Sequence, residues 1–160
     1  MPGRTALALA VVAALTFPVA AAADDQSIYN AFHSSHPRFK QLRKDFERGE
    51  QHWVDSNYKD PDAAYRACRK TASLAEKVSD RIRKKTSSST TGEEARDLVM
   101  KALNHRRLWA DAERTAIEAF MRLDGDGYLR RRERAKKYIA RAQRYEEKAQ
   151  KLFKQAGVNL

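Results

Sequence analysis

The chain has 160 residues and carries 32 lysines and arginines against 21 aspartates and glutamates, a formal net charge of +11. That length suits one compact domain. The charge favours acidic partners, whether an anionic cell-surface polymer, a membrane surface or an acidic protein. A single cysteine, Cys68, excludes a disulfide framework within the chain, so the fold must rest on packing alone or on a partner.

At the start of the sequence, Arg4 precedes an apolar run from Thr5 to Phe17, and Pro18 leads into Val19-Ala20-Ala21-Ala22-Ala23. One charge, a short apolar run and small residues at Ala21 and Ala23 follow the order of a secretory signal peptide. The run is shorter than the ~20 residues that span a bilayer core. Residues 1–23 are therefore expected to be a signal peptide, and residues 24–160 a single domain working in the periplasm or outside the cell. Arg4 is the only charged residue in the leader, so the remainder stays strongly basic. An exported address argues against intracellular nucleic acid as the partner.

From Asp24 onward, apolar residues recur three and four apart, and no alternating stretch reads as a strand. The first helix is the weakest. Ser27 to Ser34 predicts a short piece carrying Ile28, Ala31 and Phe32. Pro37 then opens a segment with Phe39, Leu42 and Phe46 that runs to about Trp53, with Gly49 weakening its end. The second helix is expected to start at Asp60 as N-cap with Pro61 in its first turn. Its stripe is Ala64, Cys68, Thr71, Ala75, Val78 and Ile82, and Arg81, Arg83, Lys84 and Lys85 complement its C-terminal dipole. Residues 86–90 read as a free polar loop open to proteolysis.

For the third helix, Thr91 and Glu94 have the spacing of a capping box. The stripe runs through Leu98, Ala102, His105, Trp109, Ala112, Ala116, Ala119 and Leu123, with Gly125 as the left-handed residue past the end. The fourth helix is expected from Asp126 or Gly127 to about Ala156, with Gly157 beyond it. Its stripe of Ala135, Tyr138, Ala142, Tyr145, Ala149, Leu152 and Ala156 keeps a strict four-three repeat. These elements predict an all-α, up-down-up-down four-helix bundle. The alternative is a three-helix core with an N-terminal arm, and the repeat of the fourth helix also allows a homodimer formed through it.

Two constellations bear on function. Arg130, Arg131, Arg132, Arg134, Lys136, Lys137 and Arg141 crowd the start of the fourth helix, where the dipole disfavours cations. A cluster that breaks a local rule marks a candidate site, here for a polyanion. Arg144, Lys148 and Lys151 continue it along the helix. The second is Asp124-Gly125-Asp126-Gly127, which resembles the centre of an EF-hand calcium loop over residues 122–133. The resemblance implies Asp124, Asp126 and Glu133 as calcium ligands, but Arg122 stands at the first ligand position and Arg130, Arg131 and Arg132 add positive charge. A helix-to-helix turn is the competing reading. His33, His36 and His105 are the remaining metal-ligand candidates. No nucleophile elbow or paired-carboxylate pattern suggests an enzyme, and no cofactor is expected.

Overall fold

The computed structural model describes residues 17–160, with side chains described from residue 23. Apart from Phe17, the apolar run expected to direct export lies outside the described residues. Those residues form five helices: α1 (Phe17–His33), α2 (His36–Asp55), α3 (Asp62–Arg83), α4 (Thr90–Met121) and α5 (Gly125–Gln155). Among the described residues no helix is long and apolar enough to cross a membrane. The point expected for signal-peptide cleavage, between Ala23 and Asp24, falls inside α1.

Helices α1 and α2 make one column with a short break at Ser34-Ser35. Ser35 keeps helical dihedrals, and its carbonyl accepts the Phe39 N–H at 3.0 Å. Pro37 explains the break, since it lacks the N–H that a continuous helix would use. This column, α3, α4 and α5 pack as an all-α bundle.

The core divides into two clusters, and the first column contributes to both. At one end Ile28 and Phe32 of α1 meet Val78 and Ile82 of α3, Val99 and Leu103 of α4, and Phe153 of α5. At the other, Phe46 and Trp53 of α2 meet Ala64 and Cys68, Trp109 and Ile117, and Ala135. Ile28 and Phe32 are fully buried, so the first segment belongs to the bundle and is not an arm. The repeat of α5 that allowed a homodimer is turned inward: Ala135, Ala142 and Ala149 are 0 % exposed.

Three helix ends differ from the sequence expectation, each for a local physical reason. Ser89, not Thr91, caps α4, its hydroxyl accepting the Gly92 N–H at 2.9 Å. That hydroxyl also donates to the buried carboxylate of Asp25 at 2.6 Å, and Ser87 Oγ donates to the same group at 2.6 Å. The Ser-rich connection is thus fastened to α1 and is not the free loop expected. At the start of α3, Pro61 occupies the cap position while the Asp60 carboxylate accepts the Asp62 N–H at 3.1 Å. At the α4–α5 junction the left-handed residue is Leu123 (φ 61°), not Gly125, which is the first residue of α5. The Leu123 N–H bonds the Phe120 carbonyl and the Asp124 N–H bonds the Ala119 carbonyl, both at 2.9 Å, so this end closes as a Schellman motif. Gly157 (φ 81°) does close α5 as its position implied.

A leucine in left-handed backbone costs ~1–2 kcal/mol, and Leu123 recovers little of it because its side chain is 92 % exposed. Replacing Leu123 with glycine is expected to stabilise the fold by about 0.5–1 kcal/mol after the entropic cost of glycine, a rise of a few degrees in Tm. Thermal denaturation followed by circular dichroism measures it, and a fall in Tm would contradict the strained turn.

Candidate interface for an acidic partner

The cationic face is built on α5. Its first turn is held by Asp124, whose carboxylate accepts the Gly127 N–H at 2.7 Å. Two charged residues of this helix turn inward and serve the fold. Arg132 Nη1 lies 2.7 Å from Glu50 of α2 and 2.6 Å from Glu113 of α4. Glu146 takes a bidentate contact from Arg106 of α4, at 2.6 and 2.9 Å. The Arg106 guanidinium sits 4.6 Å from the centroid of Phe39. Both networks tie α2, α4 and α5 together, and bidentate guanidinium–carboxylate geometry gives them direction as well as charge.

With those residues subtracted, a row stands out on the solvent side. Arg130, Arg134, Lys137, Arg141, Arg144, Lys148 and Lys151 follow one another at steps of four and three, and every one is exposed. A four-three repeat keeps residues on one slowly winding strip of an α-helix. At 1.5 Å per residue the row is about 32 Å long. Among the described residues only Lys137 of the row lies within ion-pair distance of a carboxylate, Glu133 at 3.7 Å. Helix α3 has a comparable line of Arg66, Lys70, Lys77 and Arg81, with Lys84 just past its end, but Ser73 breaks it; exposed carboxylates flank both lines, Glu76 and Asp80 on α3 and Glu133 and Glu147 on α5.

Of the candidates drawn from the sequence, Arg130, Arg134, Lys137 and Arg141 lie in this row, and Lys136 is exposed beside it. Arg131 is half-exposed and 3.6 Å from Asp124. Arg132 is committed to the interior pair of glutamates and is not available to a partner. The row extends through Arg144, Lys148 and Lys151, the continuation that the sequence allowed as a stripe down the helix. What the sequence did not separate was phase within the arginine run: Arg131 and Arg132 leave the row for Asp124, Glu50 and Glu113.

Aromatic side chains do not join the row. Tyr138 and Tyr145 turn toward α4 and hold His105 between them, with centroid distances of 5.7 and 5.4 Å. Burial lowers the pKa of His105, and the positive field of Arg141 lowers it further. Leu129, at 64 % exposure, is the one exposed large apolar residue on α5 among the described residues.

The metal readings lose their geometry. Among the described residues no group of three or more His, Cys, Asp or Glu side chains is arranged to hold an ion. Asp124 is a helix cap near Arg131, and Glu133 pairs with Lys137. Residues 122–124 form the helix-to-helix turn and residues 125–133 are already α5, so the segment expected to wrap an ion is helical. His33 and His36 lie edge to face at 5.3 Å, and His105 is engaged elsewhere. Cys68 is buried, and burial pushes its thiol up to about 12, so it is a core residue.

No family model, no curated protein and no solved structure matches this chain.

Proposed function

We propose that this protein is an exported, basic, non-enzymatic interaction module that holds an acidic partner along the outer face of α5. The observation that supports the reading is the row from Arg130 to Lys151, exposed throughout and built on a helix whose opposite face is buried. Its cations have little competition from the protein's own carboxylates, so their field is available to an external anion. The structure starts α5 at Gly125, so Arg130 and Arg134 lie beyond its first turn and outside the reach of the helix dipole. The cations of the row instead repel one another at spacings of three and four, and a bound anion would relieve that repulsion. The leader-like residues 1–23 support an extracytoplasmic setting, where anionic polymers and surfaces are abundant.

The test separates the row from net charge. One variant carries Arg134→Gln, Arg141→Gln and Lys148→Gln; its control carries Arg66→Gln, Lys70→Gln and Lys77→Gln on α3. Both lose the same charge at exposed positions. On a phosphocellulose column the parent is expected to elute at high salt, since screening governs exposed charge pairs. The α5 variant should elute at much lower salt and the α3 variant close to the parent. Equal displacement of the two would reduce the effect to net charge and overturn the α5 site.

A further inference from the structure

Within that reading, and resting on it, we infer that the partner is a linear polyanion laid lengthwise along α5, recognised by its repeating charge and not by any single group. The first argument is shape. The cations form one strip about 32 Å long, whereas a flat lipid surface calls for a broad face. The second is composition. No residue of the row is apolar or aromatic, and interfacial helices need such residues to enter the acyl boundary. Met121, Leu123 and Leu129, which are exposed, lie at one end of α5 only. The third excludes an acidic partner helix. A helix–helix seam requires apolar knobs along its length, and here the apolar stripe is already covered by the bundle. The fourth concerns bases. Tyr138 and Tyr145 face His105, so nothing on this face stacks a base as single-strand binders do. What remains is a string of point charges, and the complementary ligand is a string of anions.

Such a site has a signature that a local pocket lacks. Affinity should climb with ligand length until the chain spans the row. Beyond that length it should rise only through the number of ways a longer chain can sit. Linear polyphosphate is the probe, in sizes shorter than, equal to and well beyond the row, with titration of the full chain followed by calorimetry. Tripolyphosphate is expected to bind weakly. Chains that span the row should bind at least a hundredfold more tightly, with further gains small. Each row cation replaced by glutamine should lower the slope of log K against log salt by roughly one. Circular dichroism confirms that each variant stays folded, which its exposed positions favour.

Three results would overturn the inference. If tripolyphosphate binds as tightly as long chains, the site is local and not a row. If phosphatidylglycerol vesicles bind in a manner dependent on Arg134, Arg141 and Lys148 while polyphosphate of every length does not, the partner is a surface; the broader proposal then stands and the linear ligand fails. If neither probe binds at low salt, both proposals fail together.

Discussion

Replacing Arg132 with methionine is expected to cost about 3 kcal/mol of stability at neutral pH, far more than any other single change among the cations of α5. The guanidinium neutralises two carboxylates from two other helices, and its side chain is 26 % exposed. Glu113 is 6 % exposed. Removing one partner of a buried pair leaves the other charge without compensation, at ~3–5 kcal/mol for a fully buried pair. Partial exposure of Arg132 and Glu50 places the expectation at the lower end.

The pH dependence gives a second check. Burial raises the pKa of Glu113, and Arg132 opposes that shift. A carboxyl whose folded pKa lies above its unfolded value binds its proton more tightly in the fold, so its contribution is fully present below the unfolded pKa and is lost as pH rises through the folded one. Without Arg132 the folded value rises further. The deficit of Arg132→Met against the parent should therefore be largest near pH 7 and shrink as pH falls toward the carboxylate range. Urea denaturation at several pH values measures it. A deficit independent of pH would mean that lost packing, not charge, carries the effect. Replacing Arg132 and Glu113 together with leucine should recover much of the loss, because apolar isosteres of a buried pair are often neutral. Binding of polyphosphate should be unaffected by Arg132→Met, since this arginine faces inward.

These networks mark where sequence periodicity stops. The approximate limits of α2 to α5 and the buried faces of α3, α4 and α5 were legible, because a three-four spacing of apolar residues is a property of one segment read alone. The exceptions are α1, which starts at Phe17 and not near Ser27, and Leu123, read as the end of the α4 stripe but 92 % exposed past the helix. Cys68, Trp53 and Trp109 were expected in the core and are there, at 1 %, 1 % and 6 % exposure. Direction within a run of like residues was not legible. Arg130, Arg131 and Arg132 are chemically the same, and which one turns inward depends on Glu50, 82 positions earlier, and Glu113, 19 positions earlier. The same reasoning explains the ends. Ser89 caps α4 in preference to Thr91 because Asp25, 64 positions away, holds its hydroxyl. Leu123 closes α4 although Gly125 is the better left-handed residue. Asp124 then reaches the Gly127 N–H, and the cap bond selects the register.

Gly49 is the residue whose role is most altered by the structure. In the sequence it weakens a helix end; in the fold it sits at the closest crossing of α2 and α3. A Cβ at this position would lie 2.5 Å from the Ala64 amide nitrogen and 2.8 Å from the Ala63 carbonyl carbon. Those are backbone atoms, so no rotamer change relieves the overlap and the two helices must separate. In an exposed helix a Gly→Ala change gains up to ~1 kcal/mol in propensity. Overpacking of this kind costs ~1–3 kcal/mol, and the larger value applies because Phe46 and Trp53, one turn to either side, lose contact with Ala64 and Ala67. Gly49→Ala is therefore expected to destabilise by about 2 kcal/mol net, and Gly49→Val by more. A gain in stability on urea denaturation would rule out the close crossing. The change should also reach α5. Glu50 is the next residue and holds Arg132, so displacing α2 draws that carboxylate away from its partner. Combined with Arg132→Met, Gly49→Ala should cost less than the sum of the two separately, because the first change has already loosened the contact that the second removes.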